Sequence, residues 1–190
     1  MRKLYLSTLA VSAIVLGATA ANATFTGATV NYQYYYPNVS SPYSGAANGN
    51  YVVGPGVEIS DVAAGHATMD ISAANIYIDF LDGPDTWTAS SYNGWILSDT
   101  SNNLATILGV TIDPATNMAG FSLSNVSFDA DSISINWAGL SFDPNTVVSL
   151  NVVFADSAVP EPSTWAMMLL GFGSIGVALR RRRRKVLATG

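Results

Sequence analysis

The sequence predicts an all-β fold: one antiparallel β-sandwich in the middle of the chain, flanked at each end by an apolar segment of a different kind. Three observations predict it. Apolar residues recur every second position in run after run, the signature of half-buried strands. Turn-forming pairs separate these runs at intervals of roughly ten residues, a spacing that favours two packed sheets over a barrel. No long amphipathic helical pattern interrupts them.

At the N-terminus, residues 1–23 read as a secretory signal peptide. Arg2 and Lys3 supply the basic start, Leu4 to Val15 is largely apolar, and Ala21-Asn22-Ala23 forms the small-x-small cleavage site. Cleavage there leaves Thr24 as the new N-terminus. The lack of a twin-arginine pair favours the Sec export machinery. An uncleaved anchor is the alternative reading, but the apolar run is short for one.

The middle, residues 24–158, is expected to form the acidic sandwich domain. Its candidate strands are Ala28 to Tyr36, Tyr51 to Ile59 broken by Gly54-Pro55-Gly56, Ile76 to Phe80, Gly94 to Ser98, Leu104 to Ile112, Gly120 to Phe128, Ile133 to Trp137 and Val148 to Phe154. In the sixth, Phe121 and Leu123 share one phase and Val126 and Phe128 the other, so Ser124-Asn125 predicts a bulge or corner. Asn48-Gly49, Asp82-Gly83-Pro84, Asn93-Gly94, Asp113-Pro114 and Asp143-Pro144 supply turns. Pro37 to Asn50 reads as a surface loop and Asp156 to Ser163 as a linker.

Charge separates this domain from the ends. All eight Lys and Arg residues lie in the terminal segments, and only Glu161 of the thirteen acids lies outside residues 24–158. The domain therefore holds twelve acids and no cation apart from His66, for a net charge near −12, which the whole-chain value of −5 conceals. Such a body is soluble and repelled by nucleic acid. Cysteine is absent, so packing alone must hold the fold in an oxidising compartment.

The same composition starves catalysis. His66 is the single histidine, no serine sits in a G-x-S-x-G elbow, and one histidine without cysteine is a poor transition-metal set. A carboxylate pair built from Glu58 and one of Asp61, Asp79 or Asp82 would suit glycoside hydrolysis, but no spacing singles out a pair. Asp79, Asp82 and Asp85, and separately Asp129 and Asp131, bring oxygens near turns and would suit calcium, although neither group fits the EF-hand pattern. Solvated acidic loops are the simpler reading. Among the aromatics, Trp95 and Trp137 read as core, while Tyr34, Tyr36, Trp87 and Tyr92 are candidates for stacking on sugar rings. No resident cofactor is expected.

The C-terminal segment, residues 159–190, has three parts. Pro160-Glu161-Pro162 is held extended by its prolines, Trp165-Ala166 opens an apolar run to Leu179, and Arg180, Arg181, Arg182, Arg183, Arg184 and Lys185 form a basic stop. Residues 165–179 are expected to be a transmembrane helix of about 22 Å, marginal against a bilayer that takes about 20 residues to cross. Gly171-Phe172-Gly173-Ser174-Ile175-Gly176 fits G-x-G-x-x-G, but it lacks the preceding strand of a dinucleotide site.

Pro160, Glu161, Pro162, Trp165 and Ala166, followed by the apolar run and the arginines, resemble the PEP-CTERM sorting signal in its PEPxxWA form. The resemblance covers about the last thirty residues and implies an exported protein of a Gram-negative bacterium. It also implies processing by an exosortase-like enzyme in the inner membrane and links the protein to exopolysaccharide. The expectation is a noncatalytic protein of the cell envelope or exopolysaccharide matrix, anchored transiently in the inner membrane and then delivered to the surface or matrix. A carbohydrate-binding or calcium-dependent adhesive module is the alternative; a secreted hydrolase ranks behind both.

Overall fold

The computed structural model describes residues 24–102, 104–156, 166–176 and 180. In chain order its strands are β1 (Thr29–Tyr35), β2 (Gly49–Val52), β3 (Val57–Ile59), β4 (Ala67–Ile71), β5 (Asn75–Phe80), β6 (Asp85–Thr86), β7 (Gly94–Ser98), β8 (Ile107–Ile112), β9 (Val126–Phe128), β10 (Ser132–Asn136), β11 (Ser141–Phe142) and β12 (Val147–Phe154). One five-stranded sheet runs β2-β1-β7-β10-β9 and a second runs β3-β4-β5-β12-β8, with β11 and β6 paired as a small separate ribbon. All the pairings are antiparallel. The all-β sandwich is thus the observed fold, and residues 24–156 lie within one compact unit.

The period of two explains the two layers. On β5 the order Asn75-Ile76-Tyr77-Ile78-Asp79-Phe80 alternates between exposed or half-buried and buried, and β10 alternates likewise. Tyr32, Trp95, Ile133 and Ile135 from the first sheet and Met69, Ile71, Ile76, Ile78 and Leu150 from the second join one buried cluster. Burial of each large aliphatic contributes about 1.5–3 kcal/mol, which must offset chain entropy without help from disulfides.

Local chemistry shapes the margins. In β3 the register slips between Val57 and Ile59, making Glu58 the extra residue of a bulge. Its carboxylate accepts the Gly54 and Ile71 N–H groups at 2.8 and 2.7 Å and fastens the bend. A second slip, between Val153 and Phe154, leaves Leu108 as the extra residue on β8. These bulged outer strands, together with the short β9, give the sheets poor templates for edge-to-edge pairing.

Several sequence expectations meet their structure with a shift. The corner expected at Ser124-Asn125 is a 3-10 turn at Leu123–Asn125 leading into β9. Asn125 pins it by accepting the Ser122 N–H and donating to the Asn136 carbonyl. The strand expected from Leu104 begins only at Ile107; the Leu104 N–H is instead taken by Asp99, which also accepts the Ser101 N–H. Gly49, expected in a turn, opens β2. Strand β4 was not expected at all: Ala67-Thr68-Met69-Asp70-Ile71 does alternate, but Ala and Asp are depleted in strands.

In the C-terminal unit, residues 166–176 are helical and exposed, and Arg180 is also helical and exposed. Eleven residues rise about 16 Å, roughly half of the ~30 Å hydrocarbon core. No helix among the described residues is long and apolar enough to cross a membrane, so the transmembrane helix expected over 165–179 is not found there. Trp165 and residues 177–179 lie outside the described residues. So do the signal segment with Ala21 and Ala23, the motif residues Pro160, Glu161 and Pro162, and the basic stop from Arg181 to Lys185.

Candidate functional site

The aromatic residues gather where Tyr34 of β1 meets the segments around Trp87 and Trp137. Trp87 follows β6 directly, and its backbone is paired with the turn before β11: its N–H donates to the Leu140 carbonyl, and its carbonyl accepts the Gly139 N–H. This pairing lays the Trp87 ring parallel to that of Trp137, with centroids 5.2 Å apart and planes 8° apart. Phe80 meets Trp137 edge-on, and Phe142 packs against both Phe80 and Trp87.

A polar thread runs through this cluster. The Trp137 indole N–H donates to the Tyr34 hydroxyl at 2.7 Å, and that hydroxyl donates to Asn93 Oδ1 at 2.8 Å. The Asn93 amide in turn donates to the Thr88 carbonyl, while Asn136 Oδ1 accepts the Asn93 N–H. The side-chain groups of Trp137, Tyr34 and Asn93 along this thread thereby have partners, as a low-dielectric interior demands. Burial pushes the Tyr34 phenol well above its ordinary range.

Above this cluster opens a pocket of about 230 Å³. Tyr34, Tyr36, Tyr43, Trp87 and Phe142 supply aromatic walls; His66, Asp85, Thr86, Thr88 and Asn93 supply polar groups; Ala63 and Ala64 complete the lining. His66 stands at the start of β4, its ring edge-on to Trp87 at 5.6 Å and tilted against Phe142 at 5.2 Å. His66 Nδ1 lies 2.8 Å from Asp82 Oδ1. Asp85 Oδ1 accepts the Thr86 N–H at 2.7 Å. Trp87 is 7% exposed, and its indole nitrogen has no hydrogen-bond partner among the described residues; the core residue Trp95 carries a second such nitrogen.

The structure brings Tyr34, Tyr36, Trp87 and Asp85 to one pocket and leaves the remaining candidates elsewhere. Tyr34 is no open sugar platform: it is 1% exposed and its hydroxyl is fully engaged. Trp87 likewise presents a wall, with its ring packed on Trp137. Tyr92 is half-buried outside the lining; its hydroxyl donates to the Trp95 carbonyl and its ring edges Tyr35. Burial, opposed by a Ser134 hydrogen bond, pushes the Tyr92 phenol up to about 12. Trp95 and Trp137 are wholly buried, as their strand positions predict. Tyr43, Asn93 and Phe142 were missed, because they converge from three distant turns and strand ends that no spacing links.

The carboxylates are largely occupied with the backbone. Glu58 holds its bulge, and Asp61 Oδ1 accepts the Gly65 N–H. No hydrogen bond joins Glu58 to Asp61, Asp79 or Asp82 among the described residues. Glu58 acts on Asp70 instead, whose carboxyl is raised by burial and by that neighbouring charge. Asp79 is exposed on β5, Asp82 is spent on His66, and Asp85 turns to Thr86. Asp129 accepts the Asp131 N–H and the Ser132 hydroxyl, which lower its carboxyl, whereas Asp131 is raised by its contact with Asp129. Among the described residues no three His, Asp or Glu side chains converge as a metal-ligand set.

Residues 158–184 match the family model of the PEP-CTERM protein-sorting motif. No curated protein and no solved structure matches the chain. The sorting signal read at Pro160, Glu161, Pro162, Trp165 and Ala166 is therefore present, and it implies an exported protein sorted by an exosortase-type system.

Proposed function

We propose that this chain is a noncatalytic exported protein of the cell envelope or exopolysaccharide matrix, carried through the Sec machinery, anchored briefly in the inner membrane by its tail, and released to the surface when that tail is processed. The observation that carries the reading is the sorting motif over residues 158–184. The partition of charge supports it. Every Lys and Arg lies in the two end segments, so loss of both ends converts a bipolar precursor into a uniformly acidic body, suited to remain soluble among matrix polymers.

The noncatalytic part rests on how the carboxylates are used. Glu58, Asp61, Asp99, Asp113 and Asp143 each accept backbone N–H groups in turns or bends. Fixed this way, they serve the fold rather than an acid–base pair. The calcium-dependent form of an adhesive role draws no support from the scattered Asp79, Asp82 and Asp85.

The test is intact-mass measurement on the extracellular fraction of cells with and without an exosortase-type enzyme. A species lacking both ends in the first cells, and membrane-held precursor in the second, is expected. Secretion of the full tail in both would overturn the sorting reading. Turnover of a matrix polysaccharide that is lost on Glu58→Gln or Asp82→Asn would overturn the noncatalytic one.

A further inference from the structure

We propose that the pocket between Trp87, His66 and Tyr36 binds a single neutral sugar ring, free or at the end of a glycan chain. This goes beyond delivery to the matrix and does not depend on the tail.

Size sets the first limit. At about 230 Å³ the pocket falls below the roughly 300–1,000 Å³ typical of drug-sized ligands, so it admits one ring and not a long segment. Its walls set the second. Tyr36, Tyr43 and Trp87 offer aromatic surface, and the C–H face of a pyranose is the apolar partner that such surface takes while its rim stays polar.

Hydrogen-bond bookkeeping sets the third. Trp87, in the pocket wall, carries an indole N–H without an acceptor among the described residues; the nitrogen is shielded from solvent, so a ligand acceptor reaches it only with a small shift of the ring. His66 has its Nδ1 committed to Asp82, which leaves Nε2 for a ligand. Asp85 has Oδ1 committed to Thr86, which leaves a carboxylate oxygen that only accepts. A ligand that satisfies this set must both accept and donate. An ammonium ion cannot accept from an indole N–H. A carboxylate anion cannot donate to Asp85, and carboxylate and phosphate alike meet a domain with twelve acids and no Lys or Arg. A ring of hydroxyl groups does both and carries no charge.

The experiment is titration of the full chain, held in a non-glycosidic detergent, followed by tryptophan fluorescence and thermal melting. The probes are methyl glycosides of glucose, galactose, mannose and N-acetylglucosamine, with glucuronate, inorganic phosphate and tetramethylammonium as charged counterparts. We expect millimolar, saturable binding of at least one neutral glycoside, and weaker or no response to every charged probe. Asp85→Asn, at an exposed position that leaves melting unchanged, should weaken binding by about 5- to 10-fold, as should Trp87→Phe, which keeps a ring and removes the N–H. A linear polymer ending in the best-bound sugar, assayed in parallel, tells whether the unit is taken free or at a chain end; binding of either form sustains the proposal. It is overturned if no neutral glycoside saturates at tens of millimolar, if a charged probe binds more tightly, or if Asp85→Asn binds as well as the native chain.

Discussion

In the β-sandwich, Ile76, Ile78 and Phe80 of β5 are sealed in the core, whereas in the C-terminal helix Leu169, Leu170 and Phe172 stand 71%, 67% and 69% exposed. Both stretches are greasy; they differ in periodicity. Alternation every two residues leaves a strand one polar face for water and one apolar face for a partner sheet. The tail helix carries apolar residues at successive positions 167–170 and so turns no polar face outward along them. One region keeps its hydrophobic residues for its own stability. The other leaves them exposed among the described residues.

If that contrast is right, damage to the two regions separates cleanly. Replacing Pro160, Glu161 and Pro162 together with alanine should abolish tail processing, read by intact mass, while the melting temperature stays unchanged. A loss of stability in that variant would break the comparison. In the sandwich, Trp137→Ala should cost about 3–5 kcal/mol in chemical denaturation, since it removes a wholly buried ring and the donor to Tyr34. Tyr34→Phe is milder. It strands the Trp137 N–H and Asn93 Oδ1 in the interior, for about 1–3 kcal/mol.

Titration sharpens the same contrast, because the shifted groups named here all belong to the sandwich. Burial holds the phenols of Tyr32, Tyr34 and Tyr92 above their ordinary value of 10.0, with Tyr92 up to about 12. Above pH 10 the unfolded chain releases these protons while the folded one keeps them, so stability should fall as pH rises from 10 through 12. Denaturation midpoints across that range check the sign. At the acid end, hydrogen bonds from the Ala115 N–H and the Asn151 amide lower the Asp113 carboxyl below 3.8. That contribution is present above 3.8 and lost as pH falls through the lower folded value. Asp113→Asn should therefore flatten the acid limb slightly, the smallest effect of the set.

Much of the sandwich was readable in advance. β7 emerged with its expected ends, and β5, β10 and β12 lie within a residue of theirs, because strict alternation over five or more residues leaves little choice of face. β4 escaped because its Ala and Asp argue against a strand locally, and only pairing with β3 and β5 overrides them. The site was less readable. Trp87 and Tyr34 stood out as large aromatics, yet nothing local distinguishes a ring stacked on another ring from one offered to solvent.

The sequence by itself determined the fold class, the direction of export and the segregation of all basic charge, since these follow from periodicity, motif and composition along the chain. Tertiary structure alone decided which aromatics became core and which became pocket wall. Tyr34, His66, Trp87 and Phe142 are distant in sequence, and they meet only because the two sheets and the β6–β11 ribbon bring their separate segments to one pocket.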